Sequence, residues 1–114
     1  MQPAQLPLDI YRGDSAHLRV RLWADPDKTI PVDLTGVDAK SQIRERPAGT
    51  QITDLVCVVT LPNIIDVTLL AADSHKLPSK GAWDLQLTYL SGDVRTPLAG
   101  PVTVTPDVTD STVP

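Results

Sequence analysis

The sequence predicts an all-β fold, and three features of its composition support this. Val, Ile and Thr number 12, 6 and 12 of the 114 residues, and β-branched side chains fit a pleated sheet better than a helix. Thirteen of the fourteen acidic residues are Asp, with Glu45 the exception, and Asp favours turns over helices. Eleven prolines are scattered along the chain, and they suit the edges and turns of sheets rather than long helices.

The first third of the chain reads as strands joined by tight turns. Residues 8–11 form a short strand, followed by a turn at Arg12-Gly13-Asp14. Residues 15–24 then alternate, with Leu18, Val20 and Leu22 on the inward face, which is the period of a half-buried strand. The Asp-Pro-Asp-Lys turn at 25–28 leads to an extended segment at 30–34, and its internal proline suits an edge strand.

The middle of the chain predicts three more strands. Residues 37–44 alternate again and end at the Arg-Pro-Ala-Gly turn of 46–49. Residues 55–61 are almost wholly apolar, which predicts a strand covered on both faces. The chain turns at Pro62-Asn63, and residues 64–70 return as the second strand of a hairpin.

One short helix and two strands are predicted for the last third. Residues 71–77 are helical for at most two turns, because Pro78 and Gly81 end the segment. Residues 82–90 form a strong strand, in which Trp83 is a candidate core anchor because a large aromatic side chain spans the gap between two sheets. A hairpin loop follows at 91–93.

Residues 94–105 are the last extended stretch. Pro97 and Pro101 interrupt its hydrogen bonding, so we expect it to lie at an edge or to bend, with Val102 and Val104 pointing inward. In total, seven to eight strands at intervals of about ten residues and one helical turn predict an antiparallel immunoglobulin-like β-sandwich. We expect a single domain over 1–114, with an N-terminal arm at 1–7 and a polar tail at 106–114.

Charge and composition exclude several function classes. The net charge of −4 disfavours nucleic-acid binding, which needs clustered Lys and Arg. No apolar run approaches the length of a membrane span, and the N-terminus lacks the pattern of an export signal. The single Cys57 and the two histidines leave little material for a metal site. We therefore expect no membrane partner and no cofactor.

Four groups of residues are candidates for chemistry, and each has a simpler structural explanation. Arg12-Gly13-Asp14 matches the tripeptide that integrins recognise but is better explained as a tight turn. Asp73-Ser74-His75 contains the residue types of a catalytic triad, yet adjacent positions rarely give its geometry, so polar residues on an exposed helix face are expected. Asp25, Asp27 and Asp33 lack the spacing of a calcium loop. Cys57 is expected to be a small buried hydrophobe, so no catalytic or metal-binding residue is predicted.

The candidate interface lies on the outward face of the strand at 15–24. His17, Arg19, Arg21 and Trp23 share that face, and a tryptophan beside arginines is a common composition of protein interfaces. Cover by the second sheet or by the chain's own tail would explain the same pattern. Leu90, near a hairpin tip, is a further candidate contact.

Several short segments together resemble a known family. In order, they are the segments Ile-Tyr-Arg-Gly-Asp-Ser at 10–15, Leu-Arg-Val-Arg-Leu at 18–22, Val-Asp-Leu-Thr-Gly at 32–36, Gln-Ile-Arg at 42–44, Leu-Leu-Ala-Ala-Asp at 69–73, Gly-Ala-Trp-Asp-Leu-Gln-Leu at 81–87, and residues 102–109. Across residues 8–109 the chain is similar to the small immunoglobulin-like β-sandwich proteins of tailed-bacteriophage particles, found in collars, tail tips and the upper proteins of baseplates.

The resemblance implies a non-enzymatic virion protein. It would assemble in the bacterial cytoplasm and dock by protein–protein contacts, with other virion proteins and with copies of itself, in a symmetric assembly. Two alternatives stay open at this point. One is a protein that decorates the phage head. The other is a glycan- or receptor-binding module, suggested by an exposed Trp23 with arginines beside it.

Overall fold

The computed structural model describes residues 4–46 and 49–106. Within these residues the chain forms eight strands and one short helix, so the all-β prediction is confirmed. The elements are β1 (Ala4–Gln5), β2 (Leu8–Tyr11), β3 (Ala16–Arg21), β4 (Asp38–Arg44), β5 (Gln51–Thr60), β6 (Ile64–Leu69), α1 (Ala71–Ser74), β7 (Lys80–Thr88) and β8 (Val94–Thr105).

All eight strands belong to one curled sheet with the order β1-β8-β7-β4-β5-β6-β3, and β2 also pairs with β8. The long strand β5 links the two layers of the curl. Its residues 51–55 pair with β4, and its residues 56–60 pair with β6. One hydrophobic core fills the space between the layers, with Trp83 and Leu85 from one layer packed in the same cluster as Ile65 and Val67 from the other.

The pairing is mixed rather than purely antiparallel, which corrects part of the prediction. β1 and β2 both run parallel to β8. Residues 4–5 of the expected N-terminal arm at 1–7 therefore form a sheet strand. The two pairings share one register, which sets Pro7 opposite Pro101. Both prolines lack an N–H, so the ladder is interrupted where neither strand could donate.

β8 is an interior strand, so of the two expected alternatives the edge position is wrong, whereas a bend agrees with the bulge at residues 96–97. It lies between β7 on one side and β1 with β2 on the other. The prolines are tolerated because each falls at an irregularity. Pro101 faces the break between β1 and β2, and Pro97 lies in a bulge where β8 carries an extra residue between the pairs Leu85–Leu98 and Leu87–Arg95.

The predicted edge strand at 30–34 is reduced to a short extension of β3. Trp23 and Pro31 form one isolated bridge, flanked by hydrogen bonds from Ala24 N to Ile30 O and from Val32 N to Leu22 O. We call residues 22–32 the β3 hairpin. Leu34 then turns into the core, and its N–H donates to the carbonyl of Pro62.

The remaining elements follow the sequence closely. The predicted helix is confirmed but ends early, at Ser74. Leu18 and Val20 of β3 point inward as their alternation predicts, and so do Val102 and Val104 of β8. Gly92 takes the left-handed conformation of the β7–β8 loop, with φ of 91°. Residues 47–48 of the predicted turn and 107–114 of the predicted tail lie outside the described residues.

Candidate functional site

The outer face of β3, β6 and β5 carries an exposed grid of side chains. Strand register fixes its rows. They are His17–Thr68–Val56, Arg19–Asp66–Val58 and Arg21–Ile64–Thr60. We call this surface the β3–β6–β5 face. It contains two of the predicted interface residues, Arg19 and Arg21.

An ion pair organises the charged half of this face. Arg19 Nε donates to Asp66 Oδ1 over 2.9 Å, and Arg19 Nη2 reaches Oδ2 at 3.4 Å. His17 Nε2 lies 3.2 Å from the same carboxylate. The hydrogen bond from Arg19 holds the pKa of the Asp66 carboxyl below its ordinary value. Arg21 is exposed beside this cluster and makes no ion pair among the described residues.

The other half of the β3–β6–β5 face is apolar. Val56 and Val58 are 46% and 54% exposed, and Leu61 after the strand is exposed as well. The expectation that 55–61 would be covered on both sides is therefore wrong. The inward side of the run contributes to the core, but no described element packs on its outer side. Sequence composition suggested cover on both faces because every residue there but Thr60 is apolar.

Trp23 and Leu90 are not members of those three rows. Trp23 is 36% exposed in the β3 hairpin. Leu90 is 82% exposed, yet its side chain already covers Gly36, where a Cβ atom would come within 2.5 Å of Leu90 Cδ1. Trp23 follows Arg21 by two positions in the β3 hairpin, whereas Leu90 lies after β7 and serves partly as a local cover.

A groove of about 1060 Å³ runs between the β3 hairpin and the β7–β8 hairpin. Its walls combine aromatic, apolar and polar side chains. They include Trp23, Val32, Asp84, Tyr89, Asp93, Arg95, Thr96 and Pro97. We call it the hairpin groove. Sequence reasoning found Trp23 but missed Asp84, Tyr89 and Arg95, because nothing local to those positions reveals that they share a cavity.

Asp84 is the acidic residue of the groove with a shifted pKa. It lies on the outward side of β7, and its register partners are Gln42 on β4 and Ala99 on β8. Burial raises the pKa of the Asp84 carboxyl, and the charge of Arg44 opposes that shift. Its carboxylate has no hydrogen-bond partner among the described residues.

The turn at residues 12–14 and the helical segment at residues 73–77 are joined by two hydrogen bonds. The fully buried Ser74 Oγ accepts a 2.9 Å hydrogen bond from the backbone N–H of Gly13. Arg12 Nε donates to the carbonyl of Leu77 over 3.2 Å. The expectation that Ser74 lies on an exposed helix face is therefore wrong, because its hydroxyl satisfies a turn donor. Gly13 has φ of 93°, the left-handed conformation that favours glycine.

The other candidates also have local roles. Thr29 donates to Asp25 through its hydroxyl and its backbone N–H, and Ile30 N donates to the same carboxylate. The Asp33 carboxylate accepts hydrogen bonds from the backbone N–H and the hydroxyl of Thr35. These bonds lower the pKa of both carboxyls and close turns, as in Asx motifs. Burial raises the pKa of the Cys57 thiol, which favours its protonated form. The side chain is only partly buried against the core, so the expectation of a fully buried residue is corrected.

Across residues 4–46 and 49–106, no three His, Cys, Asp or Glu side chains are grouped closely enough to hold a metal ion. The same stretches contain no helix with the length and apolar character needed to cross a membrane.

Trp83 is buried on β7 at the centre of the core, and its Nε1 donates to the carbonyl of Leu6 over 2.8 Å. The side chain thus joins the core to the N-terminal segment between β1 and β2. A large aromatic at this position holds the sheet edge through both packing and a hydrogen bond.

Comparison with known proteins adds little to this geometry. No family model matches the chain, and no curated protein matches it. Among solved structures, the chain is similar to CopC from Methylosinus trichosporium OB3b. The two share 14% sequence identity over 90% of this chain and 89% of that chain, with a TM-score of 0.47. A similarity of that size gives no information on what this chain binds.

Proposed function

We propose that this chain is a non-enzymatic structural subunit of a tailed-bacteriophage particle. It docks by protein–protein contacts in the tail tip, collar or baseplate. The placement in a phage particle rests on the sequence resemblance. The docking role is supported by one structural observation, the exposed β3–β6–β5 face.

The composition of that face suits an interface. Val56 and Val58 present apolar surface along its β5 side. Arg19, held by Asp66, offers a guanidinium whose geometry is already set. Interfaces combine apolar area that loses water with arginine side chains that need little ordering on binding. The ion pair with the Asp66 carboxylate also lowers the cost of covering the charge of Arg19.

A charge substitution tests whether the face docks. Val58→Lys places a cation in the apolar half and is expected to abolish incorporation into particles while the fold persists, because the side chain points to solvent. Val94→Lys is the matched control, since Val94 is 53% exposed on β8, which is not part of this face. Circular dichroism checks the fold, and quantitative mass spectrometry of purified particles measures incorporation.

The same measurement, made on separated heads and tails, tests the placement. Enrichment in tails at low copy number supports the proposed position. Enrichment in heads at high copy number would replace it with the decoration role. Absence from both fractions would overturn the virion proposal, and equal incorporation of Val58→Lys and the parent would overturn the docking face.

A further inference from the structure

We propose that the hairpin groove binds a saccharide chain, with Trp23 as the stacking platform and Asp84 as a hydrogen-bond acceptor. This site is separate from the β3–β6–β5 face and does not depend on the proposed docking role. Three features support a ligand there: the shape of the groove, its two aromatic side chains, and polar groups that make no hydrogen bond with the described residues.

The shape of the groove follows from an irregularity of the sheet. The extra residue of β8 lies opposite Gln86, between the pairs Leu85–Leu98 and Leu87–Arg95. A bulge bends its strand and redirects side chains. Here the bulged residues Thr96 and Pro97 line one wall of the groove. The β3 hairpin forms the other wall, so the groove lies between two hairpins and is open to solvent.

Two of the four aromatic residues of the chain line this groove. Trp23 is partly exposed and Tyr89 is half-buried. The C–H face of a sugar ring is apolar and packs against an aromatic ring, whereas its hydroxyls lie around the rim. A partly exposed indole next to polar side chains provides both kinds of contact.

Several polar side chains of the groove make no hydrogen bond within the described part of the chain. The indole N–H of Trp23, the hydroxyls of Tyr89 and Thr96, and the side chains of Asp84 and Arg95 make no hydrogen bond with any described residue. Elsewhere the carboxylates of Asp25, Asp33 and Asp66 accept two or more bonds. Several unused donors and acceptors in one cavity are typical of a ligand site.

The mixture of groups favours a saccharide over a peptide. A basic peptide attracted by Asp84 would meet Arg95 in the same groove. Apolar side chains of a peptide would cover the Asp84 carboxylate without giving it a donor, which costs free energy. Sugar hydroxyls both donate and accept, so they can satisfy the carboxylate, the guanidinium and the phenol together.

Tryptophan fluorescence gives a direct test with the intact chain. We would titrate the protein with a panel of neutral, amino-sugar and uronic-acid oligosaccharides. Trp83 is buried and hydrogen-bonded to Leu6, so a change in emission reports Trp23. We expect at least one class of oligosaccharide to bind and to shift the emission.

Variants then locate the binding. Trp23→Ala is expected to weaken affinity by at least about tenfold, and Asp84→Asn by several-fold, measured by calorimetry because the first variant lacks the reporter. Trp23→Tyr keeps an aromatic face and is expected to retain most of the affinity, which guards against a folding defect. Asp9→Asn is the matched control, since Asp9 is an exposed acid on β2 outside the groove.

Each outcome decides the proposal. Binding that depends on Trp23 and Asp84 but not on Asp9 supports it. No binding across the panel would overturn it, and so would binding that Trp23→Ala and Asp84→Asn leave unchanged. Capture of a basic or apolar peptide at the groove, without any saccharide binding, would also overturn it and assign the groove to a protein partner.

Discussion

Ser74 illustrates at the scale of a residue how a polar side chain holds two distant turns together. Its hydroxyl is fully buried and accepts the N–H of Gly13, which lies 61 positions earlier in the sequence. Without that oxygen, the Gly13 donor would have no partner inside the fold. A buried unpaired donor costs more than the hydrogen bond itself contributes.

Replacing Ser74 therefore has a defined expected cost. Ser74→Ala should lower the free energy of unfolding by about 1–3 kcal/mol, because it leaves the Gly13 N–H unsatisfied. Urea denaturation measures the change. Ser79→Ala is the control, since Ser79 is exposed and its side chain has no partner among the described residues. Equal stability of the two variants would contradict the role given to Ser74.

Replacing Asp84 is expected to raise the free energy of unfolding, in contrast to replacing Ser74, and to do so in a pH-dependent way. Because burial raises its pKa, the folded state binds a proton more readily than the unfolded state. The associated stability is complete below the unfolded pKa and is lost as pH rises through the folded pKa. Asp84→Asn should therefore stabilise the protein at neutral pH and give little gain in acid.

Denaturation of the parent and Asp84→Asn across the acid-to-neutral range checks this. A constant stability difference at every pH would show that the carboxyl does not titrate differently in the folded state. A gain at neutral pH would also mean that the parent keeps a destabilising group in the hairpin groove, as ligand sites commonly do.

At the scale of an element, the contact between the N-terminal segment and β8 depends on Gly100. A Cβ atom there would lie 2.3 Å from the carbonyl oxygen of Leu6, closer than real contacts allow. That same oxygen accepts the hydrogen bond of Trp83. Close backbone approach thus allows the core aromatic and the sheet edge to share one acceptor.

Gly100→Ala should push residue 6 away and weaken both interactions. We expect a loss of about 1–3 kcal/mol in the free energy of unfolding, as for other overpacked sites, and a change in Trp83 emission. Gly92→Ala is the contrast, because it has open space but φ of 91°, so it should cost about 1 kcal/mol of backbone strain and leave the emission unchanged. Identical spectra for both variants would contradict this account.

At the scale of the whole molecule, the sheet joins the two ends of the described chain. β2 pairs with residues 102–105 at the far end of the sequence, whereas β5 and β6 pair locally as a hairpin. Pairing of distant segments loses much chain entropy before contacts compensate for it. The fold is therefore dominated by contacts that form slowly.

This topology predicts slow refolding. The main phase should fall in the range of about milliseconds to seconds, as for other folds rich in non-local strand pairing. Stopped-flow fluorescence measures it. If β2 joins β8 late, Gly100→Ala should speed unfolding more than it slows folding. A main phase in microseconds would contradict the argument.

The sequence alone determined the β class, most strand positions and their inward faces, because each is a local property. Alternation in β3 and β7 places apolar side chains on one side whatever their partners are. Two expectations were wrong, cover on both faces of the apolar run at 55–61 and an edge position for β8, because neither is a local property. Whether an outer face is covered, or a strand has a neighbour on both edges, depends on segments distant in sequence.

The candidate sites divide in the same way. Arg19, Arg21 and Trp23 could be selected from sequence because an outward position on an alternating strand is locally encoded. Only the tertiary structure placed Trp23 in one cavity with Asp84 and Tyr89, and buried Ser74 against Gly13. These contacts arise from the curl of the sheet, which long-range packing sets and no local pattern specifies.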